Sequence, residues 1–263
     1  MTDYRVTGSI VTFNNISTID TTLRTVKEQT QGVPFHLYVI DNSSHDGTLD
    51  YINRIDGIEV LRIPWNVGFG AGHNLVLPRL KSKYHAIINP DIALSEDAIS
   101  KMAHYMDEHP EVAMLSPRIV FPETCEDQIL GKRNPTPRYL IASRLRRGGY
   151  AKKVLAEYAM LDADISRPFE IENATGCFML IRTEALKKIG GFDERYFLYF
   201  EDCDITRTLA REGKVLYYPF AVIEHVWKRE SKKDFRLMLV QIQSMLRYFW
   251  KWRGKGKYAS AAR

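Results

Sequence analysis

Two adjacent acids behind a run of aromatic side chains form the strongest chemical signal in the sequence. Phe192-Asp193-Glu194-Arg195-Tyr196-Phe197-Leu198-Tyr199-Phe200 leads directly into Glu201-Asp202-Cys203-Asp204, and a helix is expected over Ile205–Glu212. Acids at a helix start can simply cap it. Carboxylates buried beside aromatics are costly without a task, and burial raises their pKa, which suits them to accept a proton. Three other segments present polar groups where strands are expected to end: Thr12-Phe13-Asn14-Asn15, Asp41-Asn42-Ser43-Ser44 and Asn89-Pro90-Asp91. Asx turns cap strands in any fold, but three on one sheet edge read as a ligand site. An Asp at a strand end can accept from a ribose hydroxyl or a base imide. Asp91, in a rigid turn behind Pro90, can hold a metal, and His225, ending a later strand, can complete that site. The run Asn66-Val67-Gly68-Phe69-Gly70-Ala71-Gly72-His73-Asn74 looks like a phosphate loop, yet it fits neither the Walker nor the dinucleotide pattern. Its glycines also suit a tight turn and close helix packing.

The elements that would position these residues alternate. Strands are expected at Val6–Phe13, Phe35–Asp41, Ile58–Ile63 and Tyr84–Asn89. Helical spacing links Ile16, Ile19, Leu23 and Val26, the glycine run leads into a helix through Leu80, and Glu96–Glu108 reads as a helix capped by Ser95. This rhythm predicts an α/β fold with a mostly parallel central sheet and flanking helices, whose ligands sit at the carboxyl ends of the strands. The rhythm stops at 123–171, a stretch rich in Lys, Arg, Pro and Gly, which reads as a surface excursion or as a lid for an anionic acceptor. Further strands are expected at Ala174–Arg182, Val215–Tyr218 and Val222–His225.

With 263 residues, 45% hydrophobic and 26% charged, the chain is long enough for a sizeable core and is not a disordered or coiled-coil sequence. No stretch of 18 apolar residues suggests a membrane span, and the N-terminus lacks a signal-like apolar core. Three scattered cysteines, Cys125, Cys177 and Cys203, show neither a disulfide framework nor zinc-ligand spacing, so a reduced cytosolic protein is expected. Charge is uneven: Lys228–Arg263 holds eleven Lys/Arg against two Asp/Glu, a net +9 that leaves −4 for the rest of a chain totalling +5. That balance argues against nucleic-acid binding by the body and gives the tail its own anionic partner. Phe235, Met238, Leu239, Ile242, Met245, Leu246, Phe249 and Trp252 recur at helical spacing, with Tyr248 and Trp250 among basic residues. The pattern suits either a helix packed on the sheet or one lying in an anionic lipid interface.

Taken in order, Val11-Thr12-Phe13-Asn14, Val39-Ile40-Asp41-Asn42-Ser43-Ser44, Asn66-Val67-Gly68-Phe69-Gly70, Ile88-Asn89-Pro90-Asp91, Thr175-Gly176-Cys177-Phe178-Met179-Leu180 and Gly191-Phe192-Asp193-Glu194 through Glu201-Asp202 resemble the family 2 inverting glycosyltransferases of GT-A fold, in their rhamnosyltransferase-like branch. The resemblance covers roughly residues 5 to 227. It implies a Rossmann-like GT-A domain at 1–227, with a nucleotide-sugar half at 1–118 and an acceptor half at 119–227, followed by a basic amphipathic tail at 228–263. It implies that Thr12, Phe13, Asn14, Asp41 and Ser43 hold the base and ribose, and that Gly68, Phe69, Gly70 and Asn74 wrap the nucleotide. Asn89-Pro90-Asp91 stands where the family has Asp-X-Asp, with Asp91 and His225 as ligands of Mg²⁺ or Mn²⁺. Asn89 replaces the first acid of that motif and removes one charge. Glu201-Asp202 matches the pair whose Asp is the general base. The stretch after His225 is bulkier and more basic than in many relatives, so Lys228 and Arg229 are expected at the diphosphate.

The implied reaction moves a sugar, L-rhamnose from dTDP-rhamnose, onto a polyprenyl-linked glycan at the cytoplasmic face of the membrane. A family 2 enzyme using a UDP-sugar is the alternative. A sugar nucleotidyltransferase would want a Gly-rich basic loop after the first strand, whereas Thr12–Asp20 has no Gly, Lys or Arg. A nonenzymatic nucleotide-sugar sensor would not need Asp91, Glu201 and Asp202 together.

Overall fold

The structure, a computed structural model, describes residues 4–145, 148–226 and 235–254. Four short, apolar strands form its parallel half: β1 (Val6–Thr12), β2 (Phe35–Asp41), β3 (Ile58–Arg62) and β4 (Tyr84–Ile88), in the spatial order β3-β2-β1-β4. Every residue of β1 and β4 is buried. Strands sealed on both faces have that composition because helices cover both sides. Alternate residues feed two cores: Ile10, Val39 and Ile88 face the helices α1 (Ile19–Gln29) and α4 (Ala98–Glu108), while Val11, Ile40 and Ile87 face the other layer. The short helices α2 (Thr48–Ile52) and α3 (Phe69–Asn74) follow the strand ends. Beneath α3, Ser9 Oγ bonds both His73 Nδ1 at 2.7 Å and His85 Nε2 at 2.8 Å. Burial holds both imidazoles neutral, His85 down to about 3.

Beyond β4 the parallel order ends. β8 (Phe178–Arg182) inserts antiparallel, followed by β6 (Val112–Val120), the parallel β9 (Lys214–His225) and the antiparallel edge strand β5 (Ile92–Ala93), while β7 (Phe169–Glu170) pairs with β9. The two strands expected at 215–218 and 222–225 are therefore one, irregular where Pro117 and Arg118 of β6 shift register against Tyr218 and Val222. The strand expected from Ala174 starts at Phe178. The cap of α4 is Asp97, not Ser95: Asp97 Oδ1 accepts from Ser100 N at 3.1 Å, and Oδ2 also takes the Gly32 N–H. The glycine-run helix ends at Asn74, and a separate 3-10 turn, Leu77–Arg79, carries Pro78. The 123–171 stretch is not structureless. It contains an antiparallel pair, α5 (Pro137–Leu145) and α6 (Gly149–Tyr158), joined through Arg138 and Tyr139 to Glu157.

The remaining helices are α7 (Thr183–Ile189), α8 (Glu201–Leu209) and α9 (Phe235–Lys251). The tail helix packs on the body, and its expected single apolar face divides. Tyr248 and Trp252 join Tyr196, Phe200 and Cys203 in a buried cluster, whereas Phe235, Leu239, Leu246 and Trp250 face outward. Lys251 is half-buried and bonds Asp193 Oδ2 at 2.8 Å and Asp204 Oδ2 at 2.7 Å. Trp252 Nε1 donates to Asp204 Oδ1 at 2.7 Å. Lys251→Met leaves the buried Asp204 without its cation, so urea unfolding should show a loss of about 3–5 kcal/mol.

Candidate active site

The carboxyl ends of β1 and β2 are stitched together by side chains. Thr12 is fully buried, its hydroxyl donating to Asn15 Oδ1 at 3.1 Å, and Phe13 is exposed beside it. Asn14 and Ser43 both take left-handed backbone (φ 57° and 68°). Asn14 N donates to Ser44 Oγ at 3.0 Å, and Asn14 Oδ1 accepts from His45 N at 2.8 Å. Asp41 is fully buried, with its carboxylate beneath the Ser44 N–H. Asn42, which the sequence reading did not single out, ties this edge to the glycine run: Nδ2 donates to Asn66 Oδ1 at 2.8 Å and Oδ1 accepts from Val67 N at 2.9 Å.

The glycine run also packs against the loop that leads to Glu201 and Asp202. Gly68 has φ 92°, and a Cβ there would lie 2.3 Å from Phe197 O. That same carbonyl accepts from Phe69 N at 2.9 Å. A Cβ on Gly70 would meet Phe192 Cβ at 2.7 Å. Asn74 is committed elsewhere: Nδ2 donates to Phe192 O and Oδ1 accepts from Phe192 N. Its amide thus anchors the 190–194 turn. Lys228 and Arg229 lie outside the described residues.

Asp91 and His225 meet because β5 pairs with the end of β9, Ile92 opposite His225, and Val226 N donates to Asp91 O. His225 Nε2 lies 3.5 Å from Asp91 Oδ1. The other ring nitrogen faces Gln128 Oε1 at 3.1 Å, while Gln128 Nε2 donates to His225 O at 2.7 Å. Two carbonyl acceptors fix the amide's orientation, so Nδ1 donates to Gln128 Oε1 and Nε2 is the nitrogen turned toward Asp91. Gln128 had no sequence signal. Asn89 Oδ1 and Asp91 Oδ1 are both buried without a hydrogen-bond partner among the described residues. An amide oxygen, a carboxylate oxygen and an imidazole nitrogen suit Mg²⁺ or Mn²⁺, although no group of three His, Cys, Asp or Glu is assembled among the described residues.

Glu201 and Asp202 open α8 behind Tyr199 and Phe200, two consecutive non-glycine residues in left-handed backbone (φ 68° and 66°). Such backbone costs about 1–2 kcal/mol per residue and persists only where its surroundings hold it. Phe69 N and Gly68 grip the loop at Phe197, and Ser244 Oγ of α9 donates to Leu198 O at 2.8 Å. Asp202 accepts from Gly176 N at 3.1 Å and Cys203 N at 2.8 Å. Burial pushes its carboxyl upward, opposed by those bonds. Glu201 is raised well above its usual range by burial and then by the Asp202 charge, and its Oε2 has no partner among the described residues. Glu201 therefore keeps its proton while Asp202 ionises first. Both acids line a cavity of about 170 Å³ between α5, α6 and α9. Burial also raises the Cys177 and Cys203 thiols, which disfavours a thiolate at either.

A family model described as Glycosyl transferase family 2 matches residues 9–190. The chain belongs to that family. As a family 2 glycosyltransferase it is 26% identical over 223 residues to N-acetylglucosaminyl-diphospho-decaprenol L-rhamnosyltransferase of Mycobacterium tuberculosis (strain ATCC 25618 / H37Rv), covering 76% of this chain and 69% of that one. It is 24% identical over 167 residues to rhamnosyltransferase WbbL of Escherichia coli (strain K12), 57% of each chain. Among solved structures, GalNAc-T7 with UDP, GalNAc and Mn²⁺ superposes with a TM-score of 0.68 at 15% identity, over 97% of this chain and 49% of that one. A mannosyltransferase of Pyrobaculum calidifontis in complex with GDP-Man and Mn²⁺ gives 0.67 at 16%, over 99% and 66%. The glycosyltransferase thus has the GT-A fold and spans about half to two thirds of those chains. If Asn89, Asp91 and His225 hold a divalent ion, Asp91→Ala should weaken Mn²⁺ binding at least about tenfold, read by electron paramagnetic resonance without substrate. Unchanged binding removes Asp91 from the ligand set.

Proposed function

We propose that this family 2 glycosyltransferase moves L-rhamnose from dTDP-rhamnose, with inversion, onto a hydroxyl of a polyprenyl-diphosphate-linked glycan in cell-surface polysaccharide synthesis. The observation that carries the reading is the adjacent Glu201 and Asp202, the first buried and the second partly so, which open on a cavity of their own and have Gly176, just before β8, as a support. The sugar and the lipid-linked acceptor are supported by the names of the relatives.

In this reading Asp202 takes the proton of the acceptor hydroxyl as its oxygen bonds to the anomeric carbon, on the face opposite the diphosphate. The bond to the diphosphate oxygen breaks in the same step, through an oxocarbenium-like transition state. A diphosphate leaves without a general acid, so a second proton donor is not required. Asn89, Asp91 and His225 would hold a divalent ion, which when bound supplies charge neutralisation for the leaving diphosphate. Thr12, Phe13, Asn14, Asp41 and Ser43 serve the base and ribose, and Gly68, Phe69 and Gly70 serve the rest of the nucleotide.

The outward stripe of α9 gives the reading a place to act. Leu246 and Trp250 are 61% and 70% exposed, and α5, whose Leu140 lines the Glu201–Asp202 cavity, adds exposed Ile141 and Leu145. With the net +9 of Lys228–Arg263, this suits peripheral docking on an anionic cytoplasmic membrane face. No helix among the described residues is long and apolar enough to cross a membrane.

Asp202→Asn should preserve the fold and donor binding while lowering turnover roughly 10²–10⁴-fold, measured as dTDP release from dTDP-rhamnose with acceptor present. Release of UDP from a UDP-sugar instead would reassign the donor. Because burial raises the pair, wild-type kcat/KM should climb with pH along an acid limb centred above the ordinary Asp value of 3.8. A limb below that value would remove Asp202 as the base. Leu246→Glu, on the outward stripe, should reduce co-sedimentation with anionic vesicles while its melting temperature stays within a few degrees of wild type. Unchanged sedimentation would refute the membrane reading.

A further inference from the structure

A second cavity, of about 250 Å³, lies against β6, β7 and β9. Its walls include Ile119, Leu130, Ile165, Ile171 and the ring of Tyr217. Ser116, Asp127, Gln128, Lys132, Asn173 and Thr175 add polar groups to this lining, and two of them, Asn173 and Lys132, are left with unmet polar atoms. Asn173 is 5% exposed, and its Nδ2 donates to Gly131 O at 2.9 Å. Its Oδ1 is buried and has no hydrogen-bond partner among the described residues. Lys132 lines the same cavity, its Nζ 4.8 Å from the centre of the Tyr217 ring. It makes no side-chain hydrogen bond or ion pair among the described residues. Asp127, the nearest acid to act on it, is bound by Arg118, Nε to Oδ1 at 2.6 Å. Burial lowers the Lys132 pKa, with Asp127 opposing.

An ammonium resting on an aromatic face and an unpaired amide oxygen both carry a desolvation cost that a bound ligand would offset. One molecule satisfies both if it bears an oxyanion for Lys132 and, close by, an O–H or N–H for Asn173. The remaining walls want the apolar flank of a sugar ring, and the volume is on the scale of a single pyranose. The cavity is not the one that holds the catalytic acids. Gly131 and Tyr158 stand between them, so closely packed that a Cβ on Gly131 would lie 2.1 Å from Tyr158 Cζ. It nevertheless adjoins the supports of both catalytic groups. Gln128 lines it and holds His225, and Thr175 lines it and precedes Gly176, whose N–H bonds Asp202.

We propose that this cavity binds a sugar phosphate, with Lys132 on the phosphate and Asn173 Oδ1 accepting from a ring hydroxyl or an acetamido N–H. The choice of a sugar phosphate among anions rests on the glycosyltransferase reading. The molecule can be the sugar next to the diphosphate of the lipid-linked acceptor or a free sugar phosphate, and both present the same chemistry.

Calorimetric titration of the full chain with N-acetylglucosamine 1-phosphate, without donor, tests the site. Saturable binding is expected, weakened at least tenfold in Lys132→Met and in Asn173→Leu, with melting temperatures showing that each variant is folded. N-acetylglucosamine lacking the phosphate should bind wild type no better than it binds Lys132→Met. Absence of saturable binding, or equal affinity in wild type and both variants, overturns the proposal. A raised acceptor KM in Lys132→Met, with acceptor-independent dTDP release unchanged, supports the site with the acceptor as the source. An unchanged KM alongside lost sugar-phosphate binding supports it with a free ligand. If wild type releases nucleoside diphosphate from no sugar nucleotide, the transfer reading fails, while the binding result stands by itself.

Discussion

Two carboxyl groups held side by side at a helix start, with little water, set the demands that the rest of this structure meets. Glu201 and Asp202 cannot both ionise cheaply in that position. The structure resolves the conflict by giving their oxygens unequal partners. Asp202 has the Gly176 and Cys203 N–H groups, and Glu201 Oε2 has none among the described residues. The proton therefore resides on Glu201 and the negative charge on Asp202, near the positive end of the α8 dipole. The left-handed pair Tyr199–Phe200 aims both acids. It is sustained from three directions: the glycine run at Phe197, α9 at Leu198 through Ser244, and the aromatic cluster around Tyr196, Tyr248 and Trp252.

This arrangement gives α9 two roles that cannot be cut apart by truncation. Its inner face supplies Lys251 and Trp252 to Asp204, one turn into α8, and its outer face carries the apolar stripe. Removing the helix would strip the catalytic loop of its support together with any surface it offers to lipid. Single substitutions on the outer face separate the two roles.

Much of the sheet and its polar strand ends was legible because local patterns dictate them. Apolar runs such as Phe35–Asp41 and Tyr84–Ile88 are strands wherever helices cover both faces, and Asx-rich ends mark where the chain turns back. The pairing of Asp91 with His225 could be anticipated because both end strands. The residues that hold them could not. Gln128 lies 97 positions from His225, in a segment without periodicity, and becomes meaningful only once β5 has paired with β9. The anchoring role of Asn74 was hidden for the same reason, because its amide bonds Phe192, 118 positions away. The antiparallel insertion of β8 beside β4 was equally invisible, since an apolar strand carries no mark of its direction. The division of the tail's apolar face depended on Asp193 and Asp204 drawing Lys251 inward, a long-range ion cluster that helical spacing does not encode.

Unpaired polar atoms sharpen the distinction between scaffold and site. A buried oxygen left without a partner costs about 1–3 kcal/mol, so a folded chain retains few of them. A hydroxyl such as that of Thr30 or Ser100 can rotate and is a weak indicator. An amide or carboxylate oxygen whose partner group is already fixed cannot. Asn89 Oδ1, Asp91 Oδ1 and Glu201 Oε2 are unpaired amide or carboxylate oxygens of this chemical class, and they fall on the sheet edge and helix start of the proposed site. Asn173 Oδ1 belongs to the same class, but it lies across the Gly131–Tyr158 wall. Asn173 Nδ2 is fixed by Gly131 O, so the amide cannot turn its oxygen away without breaking that bond. Its unpaired acceptor is therefore held in place, and it marks a position where a ligand's hydrogen-bond donor is preferred over water-free apolar contact.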